Sequence, residues 1–143
     1  TWKQAAKTAT TTNITLSGTQ SVDGVSVGVG DRVLVKDQTT GSENGIYVAA
    51  SGAWARSEDA NVSAEVKAGL SVLVAEGTAN ADLQFTLTTN DAIVLDNTVL
   101  TFAVPVNTYP PRRVTVPSVF TSYIMQPSTP DGEPPPCVTS YVT

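Results

Sequence analysis

Asp31-Arg32-Val33-Leu34-Val35-Lys36-Asp37 is the stretch whose reading decides the fold class. Val33 and Val35 share one face of an extended chain, a face that excludes Arg32 and Lys36. That period of two belongs to a β-strand and not to a helix. Gly28 and Gly30 bracket a tight connection just upstream. Further back, Val22-Asp23-Gly24-Val25 reads as a hairpin, because both central positions of a type I′ turn need positive φ and Asp-Gly tolerates it. Downstream the alternation recurs. Ile46, Val48 and Ala50 alternate with Tyr47 and Ala49, and Leu70, Val72 and Val74 with Ser71, Leu73 and Ala75. Phe85 and Leu87 alternate with Gln84, Thr86 and Thr88, and Leu100, Phe102 and Val104 with Val99, Thr101 and Ala103. These segments are rich in Val, Ile, Thr and aromatic residues, which suit a pleated surface. Ser51-Gly52 and Asp96-Asn97 punctuate them. Strands recurring about every 8 to 12 residues predict an all-β fold, a small antiparallel β-sandwich or barrel. Ser57 to Lys67 is expected to be a loop with a single helical turn, which Ser57-Glu58-Asp59-Ala60 can cap.

The composition changes at Pro105, since all nine prolines lie there or beyond. Proline cannot donate to a sheet ladder, so it suits an extended arm better than a central strand. The chain therefore divides into an N-terminal segment (1–12), a β domain (13–104) and a proline-rich extended C-terminal arm (105–143). The arm is too apolar for an ordinary linker, with Tyr109, Val114, Val116, Phe120, Tyr123, Ile124 and Met125 as its candidate assembly contacts. It is expected either to wrap its own domain or to dock on a neighbouring chain. Thr1 rather than Met opens the sequence, which reads as a processed product or a piece of a longer chain.

Absent residues narrow the chemistry. The chain has no histidine, which excludes His-dependent triads and His-bearing zinc or haem sites. The single cysteine, Cys137, rules out an internal disulfide and reads either as a free thiol or as a cross-link to another chain. A net charge of −5 leaves no basic stripe for phosphates, Arg112-Arg113 being the nearest approach, so nucleic acid is not an expected partner. No apolar run approaches the roughly 20 residues a bilayer requires, so neither is a membrane. Paired carboxylates can hydrolyse glycosides without histidine. The candidates Glu43, Glu58, Asp59, Glu76, Asp82 and Asp91 mostly neighbour turn residues, where carboxylates ordinarily bond backbone amides. No catalytic residue, cofactor or metal is expected. Gly24, Gly28 and Gly30 lead into a strand, not a helix N-terminus, and read as turn glycines. Tyr47 and Trp54 fall on adjacent strands of one hairpin, where they either pack on the sheet or form a platform for a glycan. Arg56 is expected to cover the Trp54 ring or to pair with Glu58 or Asp59.

Several separated blocks carry a resemblance. They are Asn13-Ile14-Thr15-Leu16-Ser17-Gly18-Thr19-Gln20, Val22-Asp23-Gly24-Val25, Gly30 to Thr39, Glu43-Asn44-Gly45-Ile46-Tyr47-Val48, and Trp54-Ala55-Arg56 with Asp59-Ala60. Gly77-Thr78 with Asn80 and Asp82, Leu87-Thr88-Thr89, and Leu100-Thr101-Phe102 complete the set. In order and spacing, residues 8–104 resemble the recurrent β domain of bacteriophage tail-fibre and related virion surface proteins. The resemblance implies a non-enzymatic structural protein on the virion surface, assembled in the host cytoplasm. It implies a homotrimer with other virion proteins as partners. A fibre would continue into repeats or a receptor-binding tip, whereas here the proline-rich arm follows. Tail fibre, collar, head fibre and capsid decoration therefore all stay open, as does a host-glycan-binding adhesin module.

Overall fold

The computed structural model describes residues 1–105, which form one compact unit of short strands. In chain order the strands are β1 (Thr8–Ala9), β2 (Gln20–Val22), β3 (Val25–Val27), β4 (Arg32–Val35), β5 (Gly45–Val48), β6 (Ala55–Arg56), β7 (Ser71–Leu73), β8 (Gln84–Leu87) and β9 (Phe102–Ala103). They make a four-stranded sheet ordered β1-β4-β5-β6, a two-stranded β2-β3 hairpin and a three-stranded sheet ordered β7-β8-β9. The β-rich class expected from the alternation is what the chain adopts.

β4 and β5 lie at the centre, and their register explains the apolar run Val33-Leu34-Val35. Val33 pairs with Tyr47, Leu34 with Ile46 and Val35 with Gly45. Leu34 and Ile46 face one core, with Val72, Phe85 and Leu87 from the three-stranded sheet, Val74 just after β7, and Leu100 beyond them. Val33, Val35 and Tyr47 face a second core, with Val22 and Val27 of the hairpin, Ala49 and Trp54; Ile14 and Leu16 pack against it. A strand covered on both faces needs apolar residues at successive positions, and Val33, Leu34 and Val35 are all fully buried. Each such side chain contributes about 1.5–3 kcal/mol by leaving water.

The Asp23-Gly24 turn has the expected geometry. Val22 pairs with Val25, and the two central residues have φ of 50° and 78°. A Cβ at Gly24 would meet Thr78 Oγ1 at 2.7 Å, so the turn needs glycine for space as well as for φ.

Three features depart from the sequence reading. Residues 1–10 do not stand apart from the β domain. Trp2 and Ala6 form parallel bridges with Ser71 and Val74, and β1 then pairs in parallel with β4, Thr8 with Val33 and Ala9 with Leu34. One short segment thus joins the edge of the three-stranded sheet to the four-stranded one, so the pairing is not purely antiparallel. The signal was hidden because Ala5, Ala6, Thr8, Ala9 and Thr10 are small, and backbone bonds rather than apolar periodicity hold them. Second, Ser57 to Lys67 contains two single 3-10 turns, Glu58–Ala60 and Ser63–Glu65, and the Ser57 side chain caps neither. Third, Arg56 sits opposite Tyr47, 5.1 Å from that ring's centroid, and pairs with Asp96 at 2.9 Å, rather than with Trp54, Glu58 or Asp59.

Candidate functional site

The polar residues of the separated blocks converge on one another. Asp23, at the hairpin tip, accepts hydrogen bonds on its carboxylate from Ala79 N and Asn80 N, and its carbonyl accepts one from Thr78 N. Asn80 in turn donates to the carbonyls of Ala9 and Thr10, so the N-terminal segment, the hairpin and the loop after β7 are tied in one place.

A second knot forms around Gln38 and Asn44, both buried. Asn44 Oδ1 accepts from Gln38 N at 2.9 Å and its Nδ2 donates to Leu100 O at 2.9 Å. Gln38 bonds Ile14 through both its amide atoms and donates also to Glu43. Tyr47 OH donates to Glu43 O, and Arg56 donates to Asn44 O and Ser42 O. A buried polar group is tolerated only when its partners are present, and here they are.

The third cluster is charged and lines a surface hollow of ≈ 450 Å³ between Gln4, Gly30, Arg32, Val48, Ser57, Glu58 and Asp59. Arg32 grips Asp59 with two bonds of 3.0 Å, donates to Ser57 Oγ, and reaches Gln4 O with Nε and Nη2. Every guanidinium nitrogen is thus engaged by the protein itself. Partial burial works against the charged form of Asp59, but the bonds from Arg32 and Ser57 and the Arg32 charge outweigh it and hold its pKa below the ordinary value. Beside it, the Gly28 N–H and Lys7 hold Asp31 below its ordinary value as well. Both carboxylates are therefore ionised near neutrality, suited to clamping and not to donating a proton. Burial pushes the Tyr47 hydroxyl up.

The remaining candidate carboxylates do not gather. Glu58, Glu76, Asp82 and Asp91 lie exposed, Asp82 in a positive-φ turn, and Glu43 is taken up by Gln38. Among the described residues no group of three or more His, Cys, Asp or Glu is placed to hold a metal ion, and no helix is long and apolar enough to cross a membrane. Tyr47 and Trp54 are each only 6% exposed, and Trp54 Nε1 donates to Gly18 O. Both rings belong to the second core and present no open face on which a sugar could stack. The candidate assembly contacts Tyr109, Val114, Val116, Phe120, Tyr123, Ile124 and Met125, and Cys137, lie outside the described residues.

Residue-by-residue reading missed the stapling roles of Gln38, Asn44 and Asn80. Their presence in blocks of fixed spacing was the available signal, but their partners are distant in sequence. No family model matches the chain, and no curated protein or solved structure does.

Proposed function

We propose that the chain is a non-enzymatic structural component of a bacteriophage particle, of the tail-fibre type, displayed on the virion surface and assembled with copies of itself, as a homotrimer, and with other virion proteins. The observation that carries this reading is the convergence of the resembling blocks. Asp23 with the Gly77–Asn80 loop, Asn44 with Leu100, Trp54 with Gly18, and Arg32 with Asp59 are all pairs between separate blocks. Their pattern is thereby accounted for as loop fastening, with no substrate or cofactor needed to explain it. Such cross-tying suits a small display domain that has little core and must hold its loops in place.

The finer architecture belongs to the same proposal. An apolar interior shared by the two larger sheets, with residues 1–10 on one side and the Asn44–Leu100 and Arg56–Asp96 contacts on the other, supports reading the unit as a small, partly open barrel. The β2-β3 hairpin packs over its outside. Assembly through the proline-rich arm rests on the apolar character of that stretch of sequence.

Immunogold electron microscopy of intact particles, with antibody against residues 13–104, tests the reading. Label on the tail or its fibres supports it, and label over the head reassigns the chain to capsid decoration or a head fibre. Particles of the source phage that carry no label would sink the virion role.

A further inference from the structure

Asn44-Gly45 is the one place in the chain where an asparagine precedes a glycine; the six other asparagines precede Ile14, Val62, Ala81, Asp91, Thr98 and Thr108. An asparagine carboxamide is open to attack by the backbone nitrogen of the next residue once that nitrogen has lost its proton. A side chain on the next residue hinders the approach, and glycine has none. The Gly45 nitrogen would bond to Asn44 Cγ, the Cγ–Nδ2 bond would break, and ammonia would leave behind a five-membered succinimide ring. Water then opens the ring at either carbonyl, giving aspartate or isoaspartate.

The fold requires both residues for reasons of its own. Gly45 has φ of 151°, and a Cβ there would run into Arg56 Nη1. Asn44 supplies the amide that joins Gln38 to Leu100. The same fold also blocks the reaction. Asn44 N donates to Gly41 O, its carbonyl accepts from Arg56, its Oδ1 accepts from Gln38 N and its Nδ2 donates to Leu100 O. Ring closure needs the Gly45 nitrogen eclipsed with Asn44 Cβ, whereas ψ of 155° at Asn44 turns it well away. Swinging the carboxamide toward that nitrogen would break the bonds to Gln38 and Leu100 at a buried residue, leaving a donor and two acceptors without partners.

We infer that Asn44-Gly45 is a modification site gated by folding: it deamidates in the unfolded chain, is shut in the folded one, and once converted keeps the chain from regaining its fold. Neither product fits the place Asn44 occupies. An ionised aspartate has only acceptor oxygens, so one of them would face Leu100 O where Nδ2 now donates. Isoaspartate also inserts a methylene group into the backbone at the entry to β5, where Gly45 pairs with Val35 and Ile46 with Leu34. Register and the Gln38–Asn44–Leu100 knot then cannot both be kept. Chains that linger unfolded are thereby withdrawn irreversibly from the folding pool.

The test holds the full chain at mildly alkaline pH, folded or in guanidinium chloride, and samples it over days for tryptic peptide mass spectrometry. The peptide Asp37–Arg56 contains Asn44 and no other asparagine, while Ala68–Arg112 holds Asn80, Asn90, Asn97 and Asn107 for comparison. In denaturant, amide-to-acid conversion is expected to concentrate in Asp37–Arg56, with isoaspartate exceeding aspartate. In the folded chain it should run at least about tenfold slower, because reaction waits on local opening. Gly45→Ala, followed in denaturant where its own folding does not matter, should slow conversion at Asn44 severalfold. After dilution from denaturant, the compact fraction from gel filtration should be depleted of converted Asp37–Arg56. Equal rates in the folded and denatured chain, or conversion spread evenly over both peptides, would overturn the gated site. So would Gly45→Ala without slowing, or converted peptide as abundant in the compact fraction as in the whole sample.

Discussion

Asn44 is only 5% exposed and is bonded at both ends of its amide, to Gln38 N and to Leu100 O. Asn44→Ala leaves a buried donor and a buried acceptor without partners, at about 1–3 kcal/mol for each. The expected loss is about 2–4 kcal/mol, read as a lower urea midpoint with unchanged slope. Glu58→Gln, on an exposed side chain, should stay within about 0.5 kcal/mol of wild type. An Asn44→Ala midpoint no lower than that control would remove the stapling role. The Asp23-Gly24 turn could be read from two adjacent residues because its φ requirement is local. Asn44 could not, because its acceptor lies 56 positions away.

At the scale of elements, residues 1–10 are held by backbone bonds and by two ion pairs. Lys3 N donates to Ser71 O, Ser71 N to Thr1 O, Ala75 N to Ala6 O, and Thr10 N to Leu34 O. Lys7 pairs with Asp31 at 3.0 Å, and the Arg32 fork that holds Asp59 also holds Gln4 O. The folded pKa of each carboxylate lies below its unfolded value. The folded state then binds fewer protons, so their stabilisation is complete above about pH 4, where the unfolded carboxylates ionise, and disappears as pH falls through the folded values. Both side chains are partly exposed, so solvent moderates the effect. Below that pH the segment should loosen before the sheet it joins. Hydrogen exchange, corrected for intrinsic rates, is expected to show Ser71, Ala75 and Glu76 amides losing protection while Leu87 keeps its own. Equal protection of all four at low and neutral pH would refute it. The strands themselves were legible from period-two alternation, whereas this segment was not, since alanines and threonines carry no periodic apolar signal.

For the whole molecule, β4 and β5 contribute to both cores, with Leu34 and Ile46 in one and Val33, Val35 and Tyr47 in the other. Neither core can dissolve without breaking the strands that support the other, so the unit should unfold in one step. Of the two tryptophans Trp54 alone is buried, and Trp2→Phe leaves it as the sole indole reporter, inside the second core. Its fluorescence transition in urea is expected to coincide with the far-ultraviolet circular dichroism transition. An earlier fluorescence midpoint would mean that the hairpin and its core detach on their own. Leu34→Ala, at a fully buried site, should cost about 2–5 kcal/mol of stability and lower both midpoints together.

By itself the sequence determined the β-rich class, the place of β4, the Asp23-Gly24 turn and the composition break at Pro105. Each follows from local sterics, side-chain alternation or the missing proline N–H, which need no knowledge of distant partners. Only the tertiary structure decided that residues 1–10 pair in parallel with two sheets, and that Tyr47 and Trp54 are core rings and not a platform. Only it showed that Asp23, Asn44 and Asn80 fasten loops. Alternation says that a side chain points to one face or the other, but which face is covered, and by what, depends on strands and loops far away in the chain. Asn80 and Ala9, 71 residues apart, meet only once both sheets have formed.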